Sequence, residues 1–267
     1  MDVNKVLFIS QEINPYLHHS PLADFGRLLP QSIQETGSEV RTFMPRYGSI
    51  NERRNQLHEV IRLSGMNIVI NDTDHPLIIK VATLQPSRMQ VYFIDNDDYF
   101  LRHATEGLET ETLFDENDER SIFFVRGVLE TINKLRWIPS IIHCTGWITT
   151  LTPLYLKQLY ADNPAFAGVK TVFSLFNHPF EGTFDPSMIE KLKLDGIKEC
   201  DLAHLAAGID YKALCKTAMD HADAIAISSA DNAPELVEYA RSLGKPLLEY
   251  PGDDNFGAAY KDFYLSL

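Results

Sequence analysis

The chain has 267 residues, 45% apolar and 10% aromatic, enough to bury the core of one large domain and too many for a disordered polymer. Its 24 Lys and Arg face 37 Asp and Glu, a net charge of −13 that repels nucleic-acid phosphates and an anionic membrane leaflet, so neither is expected as a partner. Three cysteines, Cys144, Cys200 and Cys215, are too scattered for a close-spaced zinc signature and odd in number for a secreted disulfide framework, which points to the cytoplasm.

Residues 1–11 hold a short apolar stretch without the basic start and cleavage site of a signal peptide. No window approaches the roughly 20 apolar residues of a membrane-spanning helix. The continuous apolar run 6–10 reads as a central strand of a parallel sheet, buried on both faces. A loop over 14–21 leads to a helix over 22–36, with Gly37 placed to end it. Residues 40–44 form the next strand and close a βαβ unit. Between 57 and 94 several short runs separated by turn residues predict a β-rich excursion at the edge of the main sheet. The acidic stretch 95–118 reads as a solvated loop whose last residue, Asp118, caps a helix over 119–136. A strand over 141–144, a helix over 147–160, a strand over 169–176, a strand over 224–228 and a helix over 232–243 continue the alternation.

This order predicts an α/β fold: a doubly wound, mainly parallel Rossmann-like sheet with a small β-rich edge excursion. One domain is expected over residues 1–250, with 251–267 as a C-terminal tail. In such folds ligands bind beyond the carboxyl ends of the strands. Four loops are therefore candidates: 14–24, 95–100, 144–149 and 177–184.

Five stretches resemble the N-terminal domain of the bacterial glycogen synthase and plant starch synthase family. They are the opening strand with Glu12 and Pro15 followed by Leu22-Ala23-Asp24; Val91-Tyr92-Phe93-Ile94-Asp95-Asn96; Glu119-Arg120-Ser121-Ile122-Phe123-Phe124-Val125-Arg126; residues 141–147; and residues 172–182. The resemblance runs in the family's order from residue 5 to about 235. It implies one half of a two-domain GT-B glycosyltransferase, with ADP-glucose or UDP-glucose as the donor substrate and no cofactor. The half that supplies most of the nucleotide-sugar site is expected to be absent, because only 24 residues follow Leu243.

Departures from the family pattern fall in the loops. His18, His19, Ser20 and Pro21 stand where the family has Lys-Thr-Gly-Gly, so a phosphate-pairing lysine and two permissive glycines are lost from the donor loop. His143 and Trp147 match, while Thr145, Gly146 and Ile148 replace polar family residues. Phe176 replaces the histidine before Asn177, and Glu181 replaces a glutamine before Gly182.

The ligand-cleft candidates are therefore Asp24, His143, Thr145, Trp147, Asn177 and Glu181. Each also has a plainer reading. Asp24 can support a helix N-terminus, His143 can be a satisfied core histidine, and Trp147 can be core. No residue is assigned a catalytic role, and neither His178 beside Asn177 nor the pair at 18 and 19 completes a metal-ligand spacing. Three functional expectations follow. The first is a single-domain protein of glucan or nucleotide-sugar metabolism, unable to transfer glucose alone, with a glucan or small sugar as ligand. The second is an ADP-glucose-dependent α-1,4-glucan glucosyltransferase completed by a partner protein that supplies the missing half. The third is a non-catalytic interaction platform.

Overall fold

The computed structural model describes residues 5–101, 110, 113–252 and 256–267. In chain order its elements are β1 (Lys5–Ser10), α1 (Pro21–Glu35), β2 (Glu39–Pro45), β3 (His58–Glu59), β4 (Met66–Ile70), β5 (Thr73–Leu84), β6 (Met89–Asp95), α2 (Asp97–Phe100), α3 (Asn117–Leu135), β7 (Ile141–Thr145), α4 (Leu151–Gln158), β8 (Lys170–Leu175), α5 (Met188–Leu194), α6 (Tyr211–His221), β9 (Ala224–Ile227), α7 (Pro234–Ser242), β10 (Leu247–Leu248) and α8 (Phe256–Leu265).

One sheet runs in the order β10-β9-β8-β7-β1-β2-β6-β5-β3, with β4 paired to β5 alone. From β10 to β6 every pairing is parallel. The strands β6-β2-β1-β7-β8-β9 thus reproduce the doubly wound 3-2-1-4-5-6 order, which reverses between β1 and β7. The β-rich excursion is present where expected: β3 and β4 pair antiparallel to β5, and β5 pairs antiparallel to β6. The central strands are buried on both faces, as their predominantly apolar runs require, with His143 and Ser174 as hydrogen-bonded exceptions. No helix among the described residues is long and apolar enough to cross a membrane.

Several expected elements shift for local reasons. The helix read over 147–160 divides into a 3-10 turn at Trp147–Thr149 and α4. Asp118 does not cap α3, because Glu116 holds that position; Asp118 sits in the first turn and pairs with Lys191 at 2.5 Å. The stretch 95–100 is not an irregular loop. Asp95 ends β6, with its carboxylate between Lys80 Nζ (2.8 Å) and Arg46 Nε (3.4 Å), and Asn96 caps α2 through Asp98 and Tyr99 N–H. The rest of the expected acidic loop at 102–109 and 111–112 lies outside the described residues.

The segment 251–267 carries α8, which packs on α1. Its apolar residues recur at 256, 260, 263 and 264, one face of a helix, and Tyr260 and Tyr264 are each only 1% exposed. A buried polar chain ties this helix to three strands. Tyr264 hydroxyl bonds His143 Nδ1 (2.6 Å), His143 Nε2 bonds Ser174 Oγ (2.5 Å), Ser228 Oγ donates to Ser174 Oγ (2.8 Å), and the Tyr260 and Ser228 hydroxyls lie 2.6 Å apart.

Helix α1 approaches the sheet at Gly26. A Cβ there would lie 2.1 Å from the Glu12 carbonyl oxygen. Alanine favours a helix interior by about 1 kcal/mol over glycine, but this overlap is with backbone, so α1 itself has to move off the end of β1. Gly26→Ala is therefore expected to destabilise the fold by about 1–3 kcal/mol. Urea unfolding measures this; a stabilised variant would mean that α1 rides higher over β1 than described.

Candidate functional site

The order reversal between β1 and β7 is where this fold opens a crevice. Here that crevice is filled by the protein's own side chains. Gln11, the first residue beyond β1, is fully buried and lies against Gly146, where a Cβ would fall 2.4 Å from Gln11 Cβ. Gly146 has φ +95°, so glycine is required twice over, by backbone and by space. Trp147 follows, 1% exposed, with its indole N–H donated to the Thr110 carbonyl at 3.0 Å and its ring edge-on to Phe180 and Phe184. Gln11 Nε2 reaches the same carbonyl at 3.4 Å. Thr145, the last residue of β7, is buried as well.

His143 lies inside the sheet and not in a cleft. Both ring nitrogens are hydrogen-bonded, and burial pushes its pKa down to about 3, so the imidazole is neutral. His143, Thr145 and Trp147 thus hold the core together beneath the carboxyl edge.

The loop 14–24 is knit to itself and to its neighbours. Ser20 is the N-cap of α1: its hydroxyl accepts from Ala23 N–H (2.9 Å) and donates to Glu12 Oε2 (2.5 Å). Pro21 occupies the first helical turn, where its missing N–H costs nothing. Asp24 takes Asn14 Nδ2 on one oxygen (2.6 Å) and His19 Nε2 on the other (2.8 Å). His18 and His19 are exposed.

Glu12, 2% exposed, is the buried centre of this corner, with His178 Nε2 3.2 Å from its second oxygen. Burial pushes the Glu12 carboxyl up, but hydrogen bonding and charge from His178, with Ser20 and Thr110 hydroxyls, outweigh it and hold the group below the usual carboxylate range. A depressed folded value means stability that is present above the unfolded pKa, about 4.3, and lost as pH falls through the folded one. Glu12→Gln is accordingly expected to cost about 1–2 kcal/mol at pH 7, with the difference from the parent vanishing well below pH 4. Denaturant melts at pH 7 and pH 3 check this; a pH-independent difference would mean that the carboxylate charge contributes nothing.

Beside this corner, beyond β8 and β9, a cavity of about 490 Å³ opens between the start of α1 and α8. Of the sequence candidates it gathers Pro21, Asp24 and Asn177. Asn177 joins the loops after β8 and β9, its N–H donating to Ser229 Oγ (2.9 Å) and its Nδ2 to Asp231 Oδ2 (3.0 Å). Glu181 is exposed on the loop beyond and does not line the cavity. Asp231, Tyr250, Phe256 and Tyr260 complete the walls. Sequence reasoning missed these; the aromatic spacing at 256, 260 and 264 was the available signal. Among the described residues, no three His, Cys, Asp or Glu side chains are grouped to hold a metal ion.

Comparison with known proteins completes the picture. The glycogen synthase of Chlorobium phaeovibrioides is 39% identical over 256 residues, covering 94% of this chain and 50% of the relative. That of Chlorobium limicola is 40% identical over 237 residues, covering 87% and 47%. The catalytic domain of starch synthase IV from Arabidopsis thaliana, solved bound to ADP and acarbose, superposes with a TM-score of 0.74 at 19% identity, over 94% of this chain and 54% of that one. This chain therefore spans about half the length of the relatives it matches, and its fold is that of one half of a two-domain GT-B glycosyltransferase. With the family model for the starch synthase catalytic domain matching residues 5–248, the chain belongs to the glycogen and starch synthase family.

Proposed function

We propose that this glycosyltransferase lobe belongs to glucan or nucleotide-sugar metabolism in the cytoplasm, binds a glucan or small sugar, and does not by itself transfer glucose from ADP-glucose or UDP-glucose. The start of α1 carries this reading. A helix N-terminus attracts phosphate through free N–H groups and its dipole. Here Pro21 has no N–H, Ser20 already caps Ala23, and the carboxylates of Glu12 and Asp24 flank the same turn. The two exposed histidines are the basic side chains of this loop, and His19 is turned onto Asp24. The three thiols, two of them buried, suit a reducing compartment.

Incubating the chain with labelled ADP-glucose or UDP-glucose and glycogen is expected to give no incorporation; robust turnover by the pure chain would overturn the reading. Maltotriose is expected to bind along the 177–184 loop. Asn177→Ala should weaken it by about 1–3 kcal/mol, the cost of a hydrogen-bonding partner lost once the sugar covers it, and Glu181→Ala, on the exposed part of the loop, by less. Calorimetry that finds maltotriose affinity unchanged in both variants would remove this loop from the site. A second reading, in which a partner chain completes a glucosyltransferase, is favoured by the half-length match to the relatives. Incorporation that appears only when a candidate partner is added would establish it.

A further inference from the structure

The cavity beyond β8 and β9 has a chemistry of its own. Phe25, Phe176, Tyr250, Phe256 and Tyr260 line it, together with the carboxylates of Asp24 and Asp231. Among the described residues, no Lys, Arg or His lines it. The Asn177 amide hydrogen bond holds the Asp231 carboxyl below the usual carboxylate range, so the group is anionic at neutral pH. Carboxylates beside low-dielectric apolar walls project a stronger negative field than the same charges in open water. Aromatic faces add to it, because their quadrupoles are negative above the ring. A volume of about 490 Å³ falls in the range of small-molecule sites. Tyr250, Pro251, Gly252, Phe256 and Tyr260 all follow residue 248, the end of the span matched by the family model. One wall is thus built outside that span.

We propose that this cavity binds a small organic cation, an ammonium or guanidinium group carried on an apolar body about one ring in size. The apolar body packs among Phe25, Phe176 and Phe256, and the cation lies at the mouth, toward Asp231 and Asp24. A nucleoside diphosphate meets two carboxylates there, with the nearby basic side chain, His19, already turned onto Asp24, and is excluded. This site goes beyond the glycosyltransferase reading and does not depend on it.

The test uses the full chain and three probes of one shape: benzylammonium, benzyl alcohol and phenylacetate, titrated by calorimetry at physiological salt. Benzylammonium is expected to bind at least tenfold more tightly than benzyl alcohol, with phenylacetate undetectable. Asp231→Asn, at an exposed position, should weaken benzylammonium toward the level of benzyl alcohol, with Asp24 holding the remaining charge, while the chain still melts as a folded protein. Phe256→Ala should weaken both probes. Asp162→Asn removes the same charge from an exposed turn elsewhere and should leave all three titrations as they were. Equal affinity for the three probes, tighter binding of phenylacetate, or benzylammonium binding insensitive to Asp231→Asn would overturn the proposal. None of the probes is a sugar, so this result stands apart from the outcome with glucan or ADP-glucose.

Discussion

A chain ended at Gly252 is expected to melt at least 10 °C below the full chain. Removing α8 uncovers the surfaces that bury Tyr260, Phe263 and Tyr264. At about 1.5–3 kcal/mol for each buried side chain of this size, the loss is roughly 5 kcal/mol or more, against a total stability of about 5–15 kcal/mol. The cut also strips partners from His143 Nδ1 and the Ser228 hydroxyl, and unsatisfied buried polar groups cost about 1–3 kcal/mol each. For a domain of this size about 2–4 °C per kcal/mol applies. Scanning calorimetry of the two chains reads the difference directly. Tyr264→Phe isolates the polar part: it keeps the ring, removes one hydroxyl, and should cost about 1–2 kcal/mol. A truncated chain melting within a few degrees of the parent would make α8 an appendage and leave residues 1–250 as the self-sufficient unit.

Trp147→Ala is expected to destabilise the protein by about 3–5 kcal/mol, the range for removing a buried tryptophan. The ring is packed edge-on against Phe180 and Phe184, which are themselves stacked, and its N–H satisfies the Thr110 carbonyl. The variant therefore opens a cavity and leaves the Thr110 carbonyl with only the longer bond from Gln11 Nε2 at 3.4 Å. Denaturant unfolding gives the magnitude, and maltotriose titration supplies the contrast. A tryptophan that served as a sugar platform would lose binding at unchanged stability. The packing described here demands the opposite pattern.

The parallel core was legible because its strands are buried on both faces and read as mainly apolar runs, as at 6–10, 141–144 and 224–228. The helices were legible from spacing, and α1 and α3 fall within two residues of their expected ends. The site was read less well, for a physical reason. Loop position says that a residue lies near the carboxyl edge of the sheet, not whether its side chain points up into the crevice or down into the core. His143 and Trp147 point down, and only tertiary partners distant in sequence, Tyr264 and Thr110, decide that. The Glu12–His178 pair and the α8 wall depend on contacts across more than 100 residues of chain. The reading of loop 14–24 as altered rests on residue types alone, His18, His19, Ser20 and Pro21, and stays an expectation from the sequence.

The ends of the sheet, β10 and β3, are two residues long each, and β5 is covered by β4 along its first half. An outer row of unpaired backbone N–H and C=O groups is what lets sheets of neighbouring molecules join into continuous ribbons. β10 and β3 are short enough to offer a second molecule little to zip onto, which leaves the outer edge of β4, paired to β5 alone, as the longer open margin among the described residues. Strand-mediated self-association of this protein, where it occurs, is expected to start at β4 and not at the two ends of the main sheet.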